Sequence, residues 1–210
     1  MSTTSADALI VIDMQNDFLP GGSLAVAEGD KIIGLIDDIA RRFQNVVFTQ
    51  DWHPADHISF ASQHAGRKPF DAINLPYGEQ VLWPDHCVQG TQGARLADGI
   101  DSDRAQLIIR KGHHRAIDSY SAFLEADRKT PTGLAGYLKD RLITNVYMCG
   151  LATDFCVAWS ALDARVFGFN VWVIEDATRA IDLNGSLAAA WAQMTKTGVR
   201  RIGSTDILGP

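Results

Sequence analysis

The stretch GLATDFCVAW, Gly150 to Trp159, sets a cysteine about one turn into a helix-like run, after small residues and a Thr153-Asp154 pair. A thiol in the first turn of a helix meets unpaired backbone N–H groups and the positive end of the helix dipole. Both favour the thiolate, and the same N–H groups can hold an oxyanion. The alternative for Cys156 is a small hydrophobe filling core space, a common fate of free cysteines. Cys149 lies inside an apolar run and fits that core role, whereas Cys87 is ambiguous because it adjoins His86. Asp13 ends one apolar run and Lys111 another. A carboxylate in such a place has a raised pKa unless a cation or hydrogen bonds offset the desolvation. Lys111 could be that cation, although a lysine after a strand is usually solvated. The segment DWHPADH offers Asp51, His53 and His57, and WPDHCVQGT adds His86. Asp-x-His on an extended chain points both side chains to one side, which suits two ligands on one metal. One carboxylate with two or three imidazoles fits zinc, iron or manganese, with water in the remaining positions. For His64, His113 and His114 the preferred reading is a turn cap in a polar loop; His57 stays open between ligand, support for a ligand, and bystander.

These side chains need elements to hold them. The runs Ala8 to Asp13, Asn45 to Gln50, Gln106 to Lys111, Asn145 to Gly150 and Asn170 to Glu175 are short, β-branched and nearly continuous in apolarity, with a weaker run near Val199 to Ser204. That pattern predicts parallel strands covered on both faces. Between them, helical periodicity covers Asp30 to Phe43, a stretch after Pro131, Asp154 to Phe167 and Gly185 to Thr197, the last two stopped by Gly168 and Gly198. Alternating strand and helix predict a three-layer α/β/α fold with a mostly parallel six-stranded sheet, Rossmann-like in class. Ligands in such sheets bind beyond the carboxyl ends of the strands, where Asp13, Asp51, Lys111 and Cys156 would all stand. Asp51 to Gly99 shows no clear strand and is rich in His, Pro, Gly and Trp; a long irregular segment of that kind is usually functional.

With 210 residues, 46% hydrophobic and 21% charged, the chain suits one domain over 1–210 carrying a metal-site insertion near 51–99. The net charge of −6 argues against a nucleic-acid footprint or an anionic membrane as partner. The apolar segment near the N-terminus is too short for a signal peptide or a membrane span, so a cytoplasmic location is expected. Three cysteines with no paired spacing exclude a disulfide framework.

The segments ALIVIDMQNDFLPGGSLAV, FTQDWHPADHISFA, LWPDHCVQGT, RKG with the following DSYSAF, and GLATDFCV resemble, in that order, the isochorismatase-like cysteine hydrolases, and within them the nicotinamidases. The resemblance runs from about Ala8 to Ser204. It implies hydrolysis of nicotinamide, and of pyrazinamide, to the acid and ammonia through a cysteine thioester. It implies a triad of Asp13, Lys111 and Cys156, an oxyanion hole from the Ala152 and Cys156 amides, and a cis peptide between Leu151 and Ala152. It implies one divalent metal, zinc first with iron or manganese as alternatives, on Asp51, His53 and His86, gripping the pyridine nitrogen. A further histidine serves some members, at a spacing that His57 does not reproduce cleanly. Phe18, Trp83, Tyr120 and Leu151 would surround the substrate, and the chain would work as a monomer or homo-oligomer in nicotinamide salvage or removal. The rivals are another hydrolase of this fold, cleaving a vinyl ether or a carbamoyl or ureido group, and a non-catalytic binding protein. The Asp-x-His and WPDHC segments weigh against the first and the intact Asp13, Lys111 and Cys156 against the second.

Overall fold

Short apolar, β-branched runs become strands because their side chains pack well on a pleated surface buried on both sides. In the computed structural model, which describes residues 2–209, the chain runs β1 (Asp7–Ile12), α1 (Ile33–Ala40), β2 (Asn45–Asp51), β3 (Ala72–Leu75), β4 (Gly78–Val81), β5 (Leu107–Lys111), α2 (Leu134–Asp140) and β6 (Asn145–Leu151). It continues through a π-helical turn (Thr153–Val157), α3 (Ala158–Val166), β7 (Asn170–Arg179), α4 (Ser186–Lys196), β8 (Arg200–Ile202) and α5 (Thr205–Leu208). Six strands form one sheet in the order β5-β2-β1-β6-β7-β8, and every pairing in it is parallel.

Period-two alternation along β1 feeds two cores. Leu9 and Val11 face one layer, where Ile36, Ile39 and Ala40 of α1 pack. Ala8, Ile10 and Ile12 face the other, against Leu134 and Leu138 of α2 and Ala158 and Ala161 of α3. The chain winds outward from β1 through β2 to β5, then returns to β6 and winds the other way. The reversal between β1 and β6 opens a crevice at their carboxyl ends. Register decides what meets there: Asp51 lies opposite Lys111, and Ile12 opposite Gly150. Gly150 is obligatory at that contact. Its φ is +108°, and a Cβ there would stand 2.1 Å from the Ile12 carbonyl oxygen.

The structure differs from the sequence expectation in three places. The segment from Asp51 to Gly99 contains an antiparallel hairpin, with Ala72 paired to Val81 and Leu75 to Gly78. Its strands are four residues each and half exposed, so no apolar run marks them. The fifth sheet strand, β7, runs on to Arg179, four residues beyond the apolar run. The helix expected from Asp154 opens as a π turn, with the Val157 N–H bonded to the Ala152 carbonyl at 3.1 Å. Among the described residues, no helix is long and apolar enough to cross a membrane.

Candidate active site

Asp13 follows directly on β1 in a left-handed conformation, φ +47°, unusual for a non-glycine residue. Thr49 of β2 holds it: the Asp13 N–H donates to Thr49 Oγ1 at 3.0 Å, and the Thr49 hydroxyl donates to Asp13 Oδ1 at 2.5 Å. Lys111, the last residue of β5, is 1% exposed and reaches inward. Its Nζ lies 2.8 Å from Asp13 Oδ2, donates to Asp51 Oδ1 and to the Ser119 carbonyl at 3.0 Å, and stands 3.4 Å from Cys156 Sγ. The Lys111–Asp13 contact is a fully buried ion pair. Ligand-type atoms of Asp13, Asp51 and Cys156 lie within 4.8 Å of one another. Sulfur, acid and amine therefore converge where the sheet reverses.

Burial governs the charges. It raises the Asp13 carboxyl despite the pull of Lys111. It opposes the Lys111 ammonium, but Asp13 and Asp51 outweigh it and hold that pKa well above the usual lysine range. The Cys156 thiol is pushed well up by burial, with Lys111 acting against the rise. The expectation of a thiol lowered by a helix start therefore does not hold for the ligand-free protein. The first turn is there, but desolvation is the larger effect at a residue 6% exposed.

Beside this cluster, Asp51 Oδ2 faces His53 Nε2 at 3.7 Å and His86 Nε2 at 3.8 Å. Each imidazole is turned by its other nitrogen: His53 Nδ1 donates to the Gly112 carbonyl and His86 Nδ1 to the Pro84 carbonyl, both at 2.8 Å. That leaves both Nε2 lone pairs aimed at Asp51, the arrangement by which backbone carbonyls orient metal-binding histidines. Burial, with His53 alongside, depresses His86 to about 4, so its imidazole is neutral. Burial opposes the Asp51 charge, yet Lys111 and His53 hold the carboxyl well below the usual range. A carboxylate and two neutral-capable Nε2 atoms fit a divalent transition ion. His57 lies elsewhere. Its Nδ1 bonds Ser59 Oγ at 2.7 Å, its Nε2 faces the Ile117 carbonyl at 3.3 Å, and its ring lies tilted with its centre 4.2 Å from that of His53. It groups with His53 and Asp118 rather than with Asp51 and His86.

Both clusters border one cavity, lined by Phe18, Leu24, Asp51, His53, Trp83, His86, Asp118, Tyr120, Ala152, Phe155, Cys156 and Ile181. The space among these side chains, part of it open to solvent, is about 340 Å³. The site is a slot walled largely by aromatic rings. Trp83 and Phe155 meet edge to face at 4.9 Å, and Phe18 sits 5.5 Å from the His86 ring. Of the sequence-predicted residues, Phe18, Trp83, Tyr120 and Ala152 line the slot, and the Leu151–Ala152 peptide is cis. Leu151 is not among the lining residues; it is fully buried and packs against Gly29. The expected turn role of the other histidines is met by His64, whose Nε2 donates to the Ile58 carbonyl at 2.7 Å, whereas His114 pairs with Glu125. Sequence reasoning missed Leu24, Asp118, Phe155 and Ile181. The first three lie inside the family-like segments and could have been found there; Ile181 carries no signal.

The isochorismatase domain family model matches residues 7–206. The nicotinamidase of Acinetobacter baylyi is 63% identical over 201 residues, covering 96% of this chain and 94% of that protein. The structure of a nicotinamidase/pyrazinamidase from Acinetobacter baumanii superposes with a TM-score of 0.97 at 59% identity, over 98% of this chain and 100% of that one. The pyrazinamidase of Pyrococcus horikoshii in complex with zinc gives a TM-score of 0.76 at 36% identity, over 94% and 99%.

Proposed function

Since the chain belongs to the isochorismatase domain family, we propose that it is a nicotinamidase, hydrolysing nicotinamide, and pyrazinamide, to the corresponding acid and ammonia. One observation carries the reading: Cys156 Sγ, Lys111 Nζ and Asp13 Oδ2 converge beside the Asp51, His53 and His86 group, and Cys156 lines one aromatic-walled slot together with those three. A covalent site alone would need no Asp-His-His wall, and a metal-hydroxide enzyme would need no Asp-Lys-Cys set.

Asp13 Oδ2 takes the Cys156 proton as the sulfur attacks the carboxamide carbon. Lys111 holds the two acids in place and balances their charge. The carbonyl oxygen, now anionic, is received by the backbone amides of Ala152 and Cys156; one such donor contributes about 2.7–4 kcal/mol in acyl-transfer sites. Asp13 returns the proton to the departing nitrogen, which leaves as ammonia. It then deprotonates a water that attacks the thioester and frees nicotinate and the thiol. Phe18, Trp83, Tyr120 and Phe155 flank the ring and keep bulk water out. Asp51, His53 and His86 would hold one divalent ion, zinc first with iron or manganese as alternatives, and it would supply a Lewis acid for the pyridine nitrogen. The zinc-bound pyrazinamidase relative supports that choice. His57, packed on His53, steadies that ring rather than joining the ligand set.

Ammonia and nicotinate should appear in equal amounts from nicotinamide with the purified protein. Cys156→Ala should drop turnover to background while metal content and Tm stay at wild-type values. A wild-type protein without this activity, or an alanine variant that keeps it, would refute the reading.

A further inference from the structure

Next to the slot lies a second cavity of about 360 Å³, lined by residues that include Gln80, Leu124, Arg128 and Trp159. Tyr120 lines both cavities and so forms a wall between them. Its position depends on hydrogen bonds at the phenol tip. Tyr120 Oη accepts from Trp83 Nε1 at 3.0 Å and from Gln80 Nε2 at 3.0 Å. Gln80 is itself held on every side. Nε2 donates to Asp118 Oδ2 at 2.7 Å and lies 2.7 Å from the Val81 carbonyl, and Oε1 accepts from the Tyr77 hydroxyl at 3.1 Å. Three acceptors share two N–H hydrogens, so the amide is fully used. Gln80 is 1% exposed, the one fully inward residue of β4, and its neighbour Glu79 faces solvent. A buried amide engaged in this way is costly to unpair and leaves its partners unsatisfied when removed.

We infer that Gln80 is a positioning residue that latches Tyr120 as the partition between the slot and the second cavity, and so restricts the enzyme to single-ring aromatic carboxamides. The inference rests on the nicotinamidase reading. The small hairpin thereby becomes part of the specificity apparatus. With the latch released, the phenol gains room on the side of the second cavity. A second fused ring can then enter where the slot now ends.

The test compares nicotinamide with the bicyclic quinoline-3-carboxamide in wild type, Gln80→Ala, Gln80→Met and Gln80→Glu. In Gln80→Ala, KM for nicotinamide should rise about tenfold with kcat held within about threefold, the scale of one lost hydrogen bond. The preference for nicotinamide over the bicyclic amide should narrow by tenfold or more. Gln80→Met fills the same volume without hydrogen bonds and should behave alike, which covers the case of an alanine variant that does not fold. Gln80→Glu sets two carboxylates together and should lose the preference too. Equal losses on both substrates, or an unchanged preference, would overturn the proposal. If the wild type releases no ammonia from nicotinamide, the functional reading fails by itself. The partition is then decided by calorimetric binding of nicotinate and quinoline-3-carboxylate to the same variants.

Discussion

Asp13 and Cys156 share a condition that shapes the chemistry: burial lifts both their pKa values, and Lys111 opposes both rises. A buried thiol beside a carboxylate with a raised pKa is not a standing thiolate. The proton moves when a substrate carbonyl offers the electrons of sulfur somewhere to go, and the Asp13 carboxylate, with an oxygen within 4.8 Å of Cys156 Sγ, is placed to receive it. The sign is testable. A raised thiol pKa means that the folded, substrate-free protein keeps its proton through neutral pH and loses it only above the ordinary thiol value of about 8.5. Alkylation of Cys156 by iodoacetamide should therefore be slow at pH 7 and still climbing above pH 8.5, with Cys156→Ala as the blank. Cys87 and Cys149 are also raised by burial and should stay unlabelled in the folded state. A Cys156 rate already at its plateau below pH 8 would contradict this picture.

Strand ends and the loops after them turn these residues into a site. Lys111 ends β5, and Gly112 follows with φ +66°; its carbonyl takes the His53 Nδ1 hydrogen, while a Cβ on it would stand 2.4 Å from His53 Cε1. Gly112→Ala must push the His53 ring away or forfeit the left-handed turn. The expected outcome is loss of at least 90% of bound metal by elemental analysis, in a protein destabilised by about 1–3 kcal/mol in denaturant titration. Full metal occupancy in that variant would show that the ring can give way. Much of this arrangement is legible in the chain. Continuous apolar runs mark parallel strands, so Asp13, Asp51, Lys111 and Gly150 are recognisable as their ends, and period-two alternation sends Asp51 and His53 the same way. The hairpin is not legible, because β3 and β4 are short and half exposed, and Gln80 is buried only by Asp118 and Tyr120 from distant segments. Ile181 is hidden for a similar reason. The Asp154 carboxylate, in the cysteine turn, accepts the Ile181 and Asp182 N–H groups at 3.1 and 2.8 Å and draws that loop to the slot. The sign of the Cys156 shift was equally out of reach, since it depends on burial created by tertiary packing.

For the molecule as a whole, the site is a concentration of buried ionisable groups that the rest of the fold must support. Lys111, Asp13, Asp51, His53, His57 and His86 are each at most 4% exposed. In the metal-free protein two of them oppose acid. Burial, reinforced by His53, holds His57 and His86 at about 4, below the ordinary histidine value of about 6.5. A histidine depressed in the folded state binds protons more readily when unfolded, so stability rises with pH across that window and is lost as pH falls from 6.5 towards 4. Each depressed group contributes up to about 1.4 kcal/mol per pH unit in the window. His53 works the other way. Burial lowers it, but Asp51 overcomes that and raises it, so its contribution is present in acid and fades as pH rises through its folded value. Between pH 6.5 and 4 the two depressed histidines therefore act against Asp13, whose carboxyl burial raises, while the His53 contribution changes only above pH 6.5. A divalent ion should enlarge the contrast, because it binds the native state alone and competes with protons for His53 and His86. The Tm of the metal-free protein should accordingly fall on going from pH 7 to pH 5. Added zinc should raise Tm at pH 7 and do much less at pH 5. His57→Gln, which removes one depressed group while Asp51, His53 and His86 keep their own side chains, should flatten the metal-free profile. If that profile is flat in the wild type, or if zinc stabilises equally at both pH values, the imidazoles are not the buried neutral groups that the geometry requires.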